Sequence, residues 1–495
     1  MKVIIVGGGS AGWMTATTLI KAKPNWDISL IESKNISTVG VGESTLGFIK
    51  NWCDFVGVDE DFFLKETDGS YKLSIKFTDF YKKGKAFHYP FGNPDLSENL
   101  FNINDWWFKK FLYPETPNSD YADLIYPDQM AYVNNNKFDK NKCTYAYHFD
   151  ATKFGLWLKE NKCKKVKHII DDIKSIEQDE NGIKSLNNKY TADLFIDCTG
   201  FKSLLLDKTL NEPFESYEDM LPNNSAWATK ISYKDKKKEL KPYTNCTAYN
   251  NGWIWNIPLW SRIGTGYVYS DKFVSDEDAL QEFKKYLGRD DLEFKNIKMR
   301  IGIHKRLWVK NVVAIGLSAG FIEPLESNGL WTVHQFLMNL LRNLEREKIS
   351  QWDKDNFTYM CKMDYHNFAE FVAIHYALSH RTDTEYWKAN FNKQWDEKLI
   401  TLAPRHPGVM RLLAENRRID FTFDSTTGVH CIAAGMNWSP TDLNTIKYNE
   451  PKNLVNLKYA WLNAIKKLES KKEKSELKVF TKPTLYNYLK ENIYK

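Results

Sequence analysis

Lys2-Val-Ile-Ile-Val-Gly-Gly-Gly-Ser-Ala-Gly12 is followed by a helical stretch to about Ala22 and a second apolar run, Asp27–Ile31, that closes on Glu32. This is a strand, a GxGxxG turn, a helix and a strand, with an acidic residue about 20 positions beyond the glycines. Gly7 permits the tight turn, Gly9 lets backbone approach a pyrophosphate, and Gly12 lets the helix pack closely on the strand. Glu32 is placed to accept hydrogen bonds from a ribose hydroxyl. The plainer reading, an ordinary Gly-rich turn, does not account for the flanking strand and helix periods. The stretch therefore predicts an α/β body that binds a dinucleotide, and by itself does not separate FAD from NAD.

A second strand-to-helix turn lies far along the chain, at Ile315-Gly-Leu-Ser-Ala-Gly-Phe-Ile-Glu-Pro-Leu-Glu-Ser-Asn-Gly329. Val312, Val313 and Ile315 read as a buried strand, and Leu330, Val333, Phe336, Leu337, Leu340 and Leu341 carry a helix period through Asn343. The turn holds two carboxylates, Glu323 and Glu326, beside Ser327, Asn328 and Gly329. Backbone N–H groups at a helix start attract anions, so a base and an anion site would lie side by side. A capped helix start with a first-turn Glu is the plainer alternative.

Composition limits the choices. The 495 residues include 17 Trp and are 42% apolar, ample for a large core or an aromatic pocket. A net charge of +6 against 69 basic and 63 acidic residues gives no basic footprint for nucleic acid. The seven Cys show no metal-ligand spacing, which predicts no metal site and a reducing compartment. The first strand begins at Lys2 without a leader, and no apolar run is long enough for a bilayer. The expectation is a soluble, cytoplasmic protein with no membrane or nucleic-acid partner.

Several stretches are read on pattern. Val39–Thr45 is a Gly-rich loop. Ser70–Thr78 alternates as one strand, with Lys72 and Lys76 equivalent on its polar face. Lys85–Gly92 and Trp106–Phe111 read as irregular and aromatic. Tyr145–Asp150 leads into a helix capped by Asp150 or Thr152, Asn181-Gly182 marks a hairpin, and Asp193–Gly200 is a buried strand. Ser225–Tyr233, Cys246–Leu259 and Arg262–Ser270 read as antiparallel strands, with Trp253 and Trp255 sharing a face. Lys234–Lys241 reads as a solvated loop, Asp276–Leu287 as a helix and Leu292–Arg306 as a strand. Beyond Asn343 the patterns are mostly helical, except for a strand candidate at Val429–Ala434 and a Lys-rich arm at the end.

Taken together these residues resemble the flavin-dependent halogenases of the tryptophan halogenase type. The motifs are Gly7–Met14 (GGGSAGWM), Gly42–Thr45 (GEST), Trp253–Pro258 (WIWNIP) and Phe321–Gly329 (FIEPLESNG), with smaller matches at Tyr145–Ala151, Thr265–Ser270 and Arg381–Thr384. The resemblance covers residues 1–390 well and the remainder loosely. It implies a glutathione-reductase-like FAD fold, with an antiparallel sheet and a mainly helical part on the substrate side. It implies reduced FAD supplied by a separate flavin reductase, and a flavin hydroperoxide that oxidises halide to hypohalous acid. FAD would be held by Gly7, Gly9, Ser10, Ala11, Gly12, Glu32, Gly42, Glu43, Ser44 and Gly316. It selects Lys72 over Lys76 as the residue that hydrogen-bonds hypohalous acid or forms a haloamine, with Glu326 and Ser327 as its catalytic partners. Halide would sit on the backbone N–H groups of Asn328 and Gly329.

The departures concern substrate. Where tryptophan-specific members stack the indole between a His and a Phe, this chain offers Tyr89 and Phe91, with His88 alongside. Their Tyr-Tyr pair corresponds to Val429-His430, so His430 is the remaining substrate-side candidate, and Asn390–Asp420 is shorter than their lid. The expectation is halogenation of a phenol or indole rather than free tryptophan, with an aromatic monooxygenase, a tryptophan halogenase with a rebuilt clamp, or a non-catalytic flavoprotein as alternatives. The expected layout is an FAD body over 1–345 with aromatic-rich insertions at about 48–150, a helical part over 346–470 and a Lys-rich arm over 471–495. A homo-oligomer is compatible with the sequence, which does not fix the oligomeric state.

Overall fold

The computed structural model describes residues 1–35, 42–92, 94, 121–346, 348–400, 425–438 and 454–495. Val39–Val41, Trp106–Phe111 and the segment from Thr401 to Asp420 lie outside the described residues. At the centre is a six-stranded sheet in the order Trp308–Val309, Val312–Ala314, Leu194–Asp197, Lys2–Val6, Asp27–Glu32, Lys167–Ile170. All its pairings are parallel except the Trp308–Val309 edge hairpin. Val3, Ile4, Ile5 and Val6 are buried, as the unbroken apolar run requires of a strand covered on both faces. The helices Ser10–Ala22 and Gly329–Asn343 pack against each other beside it.

A second, seven-stranded sheet runs Lys295–Lys298, Ser225–Ile231, Ile263–Tyr269, Gly252–Pro258, Tyr243–Tyr249, Ser74–Thr78, Ala86–Pro90. Its pairings are antiparallel apart from Tyr243–Tyr249 with Ser74–Thr78. The expected Cys246–Leu259 strand is two strands joined at Asn250-Asn251, and Leu292–Arg306 divides into Lys295–Lys298 and Gly302–His304. Trp253 and Trp255 do share a face, with ring centroids 6.1 Å apart. Lys85–Gly92 is not irregular, because Ala86–Pro90 pairs in register with Ser74–Thr78.

Ser70–Thr78 is not one strand. Ser70–Lys72 pairs with Ala146–Phe149 in a small three-stranded sheet, and Ser74–Thr78 belongs to the large one. At Leu73 the chain passes between them, its N–H donating to Pro242 O and its carbonyl accepting from Phe91 N–H. Lys72 and Lys76 are therefore not equivalent. Lys72 is fully buried, whereas Lys76 is half-buried and has its Nζ 5.8 Å from the Tyr243 ring.

Val429–Ala434 is helical, within Ser425–Gly435, and not a strand. A short apolar run fits either period. Here the small residues Gly428 and Gly435 let a helix lie directly on Tyr89 and Phe87 of Ala86–Pro90. Lys236–Glu239 forms a short helix in the supposed lysine loop, with the Lys236 ammonium 3.1 Å from the Trp260 ring centroid. The C-terminal helices Leu454–Val479 and Leu485–Asn492 end in docked side chains, with Leu485, Leu489 and Ile493 buried. Among the described residues, no helix is long and apolar enough to cross a membrane.

Candidate functional site

The nucleotide loop follows from its glycines. Gly7 has φ +115°, and a side chain there would meet Cys198 O at 2.2 Å; one at Gly12 would meet Gly7 O at 1.9 Å. The helix Ser10–Ala22 that starts here has neither a side-chain cap nor an acidic residue in its first turn. Its N–H groups are therefore a donor set for an anion, and the cradle fits the pyrophosphate of a dinucleotide. Ser10 Oγ donates to Ala151 O at 2.9 Å, and Gly316 (φ +76°) packs on Ala11 so closely that a Cβ would lie 2.9 Å from Ala11 Cβ. Glu32 crosses Gly8 and lies 2.6 Å from His168 Nε2, with Lys159 at 3.8 Å.

The strand break at Leu73 delivers Lys72 into the interior. Its Nζ donates to Thr45 O at 2.9 Å and to Ser327 Oγ at 2.8 Å, and it stands 5.0 Å from the Phe91 ring. Burial lowers the Lys72 pKa to about 7, opposed by the neighbouring Glu326, the Cys246 thiol and Glu43. Ser327 takes the left-handed conformation, φ 63°, at the end of the Pro324–Glu326 turn, which points its hydroxyl inward; it donates to Ser44 Oγ at 3.0 Å.

Two carboxylates three residues apart meet different surroundings. Glu323 accepts from Asn223 N–H (3.2 Å), Asn223 Nδ2 (2.9 Å), Trp253 Nε1 (3.1 Å) and Tyr376 OH (2.5 Å). The first Trp of WIWNIP thus anchors the turn. Glu326, equally buried, has His375 Nε2 3.0 Å from Oε1, and burial raises its pKa against the pull of His375 and Lys72. His375 Nδ1 lies 3.1 Å from Val372 O, an acceptor only, so Nδ1 carries a proton. Among the described residues, Nε2 and both Glu326 oxygens are buried without a hydrogen-bond partner, so the carboxylate keeps its acceptors open to the site.

Glu43 stands at the start of Gly329–Asn343. It accepts from Leu330 N–H, and a side chain at Gly329 would come within 2.9 Å of its Oε1; burial raises its pKa to about 7. The helix start proposed for halide therefore already faces a titratable carboxylate. Asn328 is buried, with Nδ2 3.5 Å from Ile322 O and Oδ1 without a hydrogen-bond partner.

On the aromatic side, Tyr89 and Phe91 meet edge to face with centroids 6.5 Å apart, and Tyr89 also meets Phe371 at 6.2 Å. His88 points the other way, to Ser74 Oγ at 3.0 Å and the Tyr243 ring. His430 and Val429 are buried on the helix that covers Tyr89. The structure thus gathers Lys72, Glu326, Ser327, Ser44, Glu43, Asn328, Gly329 and Phe91 into one region. Sequence reasoning missed His375, whose signal was a lone polar residue in the apolar run Phe371–Leu378. It also missed His148, which lies inside the quoted Tyr145–Ala151 match.

The tryptophan halogenase family model matches residues 2–445. Tryptophan 6-halogenase SttH of Streptomyces toxytricini is 35% identical over 419 residues, spanning 78% of this chain and 80% of that protein. Tryptophan 7-halogenase RebH of Lentzea aerocolonigenes is 34% identical, spanning 79% and 78%. The SttH crystal structure superposes with a TM-score of 0.85 over 99% of both chains. The VirX1 apo structure gives 0.87 at 36% identity, covering 100% of this chain and 99% of the other. With its nucleotide loop, its buried lysine and these relatives, the chain belongs to the tryptophan halogenase family of flavin-dependent halogenases.

Proposed function

We propose that this chain halogenates an electron-rich aromatic of the phenol or indole type, using reduced FAD from a separate reductase, with oxygen and halide. The observation that carries the reading is Lys72: a fully buried amine whose Nζ is pinned by Thr45 O and Ser327 Oγ while facing Phe91. A buried lysine without a task would be replaced by an apolar side chain at a gain in stability.

Gly7, Gly9, Ser10, Ala11, Gly12 and Glu32 would hold the dinucleotide, with Gly42, Glu43, Ser44 and Gly316 beside it. Reduced flavin, when bound, supplies with oxygen and halide the hypohalous acid that the chain then directs. Halide would be held by the backbone N–H groups of Asn328 and Gly329. Lys72 has three N–H donors, two of them committed, and the third hydrogen-bonds the oxygen of hypohalous acid so that its halogen end becomes electrophilic. As halogen joins the ring carbon, the hydroxide left behind takes a proton from the Lys72 ammonium and departs as water, Glu326 takes the ring proton, and return of that proton to Lys72 restores both groups. Tyr89 and Phe91 would hold a flat ring.

Free tryptophan is the second reading, favoured by the names of SttH and RebH. A zwitterion needs partners for both charges, and leaving either desolvated costs several kcal/mol. Val429 supplies none, and it is buried with His430 against the core. The test compares kcat/KM for tryptophan, 3-methylindole and a simple phenol under one halide, with reduced FAD. The expected result is halide-dependent product with tryptophan the poorest. A clear preference for tryptophan favours the second reading, and an oxygenated product without halide overturns halogenation.

A further inference from the structure

The hydroxyl that holds Lys72 is the first of a buried series. Ser327 Oγ meets Ser44 Oγ at 3.0 Å, Ser44 meets Thr244 Oγ1 at 2.6 Å, and Thr244 meets His148 Nε2 at 2.9 Å. His148 Nδ1 meets Ser70 Oγ at 3.3 Å, and Ser70 Oγ donates to Pro258 O at 2.5 Å. All five side chains are buried.

The far end fixes every direction. A hydroxyl has one proton, and that of Ser70 goes to the Pro258 carbonyl, which can only accept. His148 Nδ1 thus faces acceptors alone, Ser70 Oγ and the Pro258 carbonyl, and must carry the proton. Burial and the charge of Lys72, against the hydrogen bond to the Pro258 carbonyl, hold the His148 pKa well below its ordinary value, so the ring is neutral and Nε2 is an acceptor. Thr244 then donates to His148, Ser44 to Thr244, and Ser327 to Ser44. The lone pairs of Ser327 are left facing the Lys72 ammonium.

We propose that Thr244 and His148 are positioning residues for Lys72, a one-way chain of hydrogen bonds from Lys72 to Pro258 fixing the Ser327 hydroxyl as an acceptor and leaving one lysine N–H uncommitted. Without the far end, Ser44 is free to turn its proton back toward Ser327, and the acceptor facing Lys72 weakens. Pro258 closes the WIWNIP motif, so this motif and the buried lysine are joined through groups distant in sequence. The inference rests on the role proposed for Lys72. The charged and titratable groups facing Lys72 are Glu326, Glu43, Cys246 and His148.

The test uses full-length protein labelled with 13C at lysine Cε, with the Lys72 resonance assigned by its loss in Lys72→Met. Thr244→Val removes the hydroxyl at constant shape, and Thr244→Ser keeps it. The Lys72 titration midpoint is expected to fall by roughly half a pH unit or more in Thr244→Val, to return in Thr244→Ser, and to fall again in His148→Phe. Should Thr244→Val not fold, Ser44→Ala breaks the chain from the other side and is read in the same way. An unmoved midpoint in a folded, FAD-binding variant overturns the proposal. The midpoint needs no turnover. A shifted midpoint in a protein that makes no halogenated product would sink the functional reading alone, and halogenation with an unmoved midpoint would sink the chain alone.

Discussion

Glu323 and Glu326 differ by what surrounds identical side chains. Glu323 is a structural carboxylate, with Oε2 accepting three hydrogen bonds and Oε1 one, so Glu323→Gln turns an NH2 group against donors and should cost about 1–3 kcal/mol, read as a lower Tm. Glu326→Gln removes only a charge that faces His375 and Lys72, and should lower kcat by about 10²-fold with FAD affinity nearly unchanged. If Glu326→Gln unfolds the protein while Glu323→Gln does not, the assignment is reversed. A second prediction comes from Glu43 and Lys72, each brought to a pKa of about 7 from opposite sides. Below that pH Glu43 is neutral and Lys72 cationic, which favours an anion at the helix start; above it Glu43 is anionic and Lys72 neutral. Halide KM should therefore rise by about 10-fold or more from pH 6 to pH 8, and a flat profile would place halide elsewhere. The sequence carried the turn and both carboxylates but not their difference, because Asn223, Trp253 and the adjacent His375 and Tyr376 arrive from three separate stretches. It also left Lys72 and Lys76 equivalent, since alternation does not reveal that the strand changes sheets at Leu73.

At the scale of elements, the long periodic segments were legible, as were the short apolar strands Lys2–Val6, Asp27–Glu32, Leu194–Asp197 and Val312–Ala314, but the apolar run Val429–Ala434 was not. The helices Ser10–Ala22, Asp276–Leu287 and Gly329–Asn343 follow their patterns, and Asp150 caps Ala151–Lys162 by accepting from Thr152 N–H at 3.0 Å and Lys153 N–H at 3.1 Å. Ser425–Gly435 was misread because its helical character is tertiary. Its glycines meet aromatic rings that stand far away in the chain, and a Cβ at Gly435 would lie 2.0 Å from the Phe87 ring. Gly435→Val should thus push this helix off Ala86–Pro90 at a cost of about 1–3 kcal/mol. Because Tyr89 lies under the same helix, KM for the arene should rise while the FAD dissociation constant stays as it was. Equal damage to both would mean that the helix supports the whole body rather than the aromatic side.

At the scale of the molecule, the end of the chain returns to the strand that begins the site. Tyr494 stacks on Trp260 with centroids 4.3 Å apart and planes 4° from parallel, and Lys236 lies near that tryptophan ring as well. The Tyr494 hydroxyl is 2.9 Å from Leu64 O and 2.8 Å from Gly69 O, the residue before Ser70. Both carbonyls can only accept, so its single proton is shared between them. The Lys-rich arm ends in the helix Leu485–Asn492, where Leu485 and Leu489, with Ile493 just beyond, are spaced by four and buried on one side, while Lys490 lies exposed. Tyr494→Ala removes a stacked ring and leaves two carbonyls near the interior without their shared donor. The expected loss is about 2–4 kcal/mol, seen as a lower Tm. Tyr494→Phe keeps the ring and should recover the stacking part only. Since Gly69 leads directly into Ser70–Lys72, Tyr494→Ala should also lower kcat at temperatures where the protein stays folded, whereas exposed Leu477→Ala, on the preceding helix, should change neither Tm nor kcat. A Tyr494→Ala protein with unaltered Tm would show that the terminal helix is merely lying against the body, and one with lowered Tm but intact kcat would separate its packing from the lysine strand.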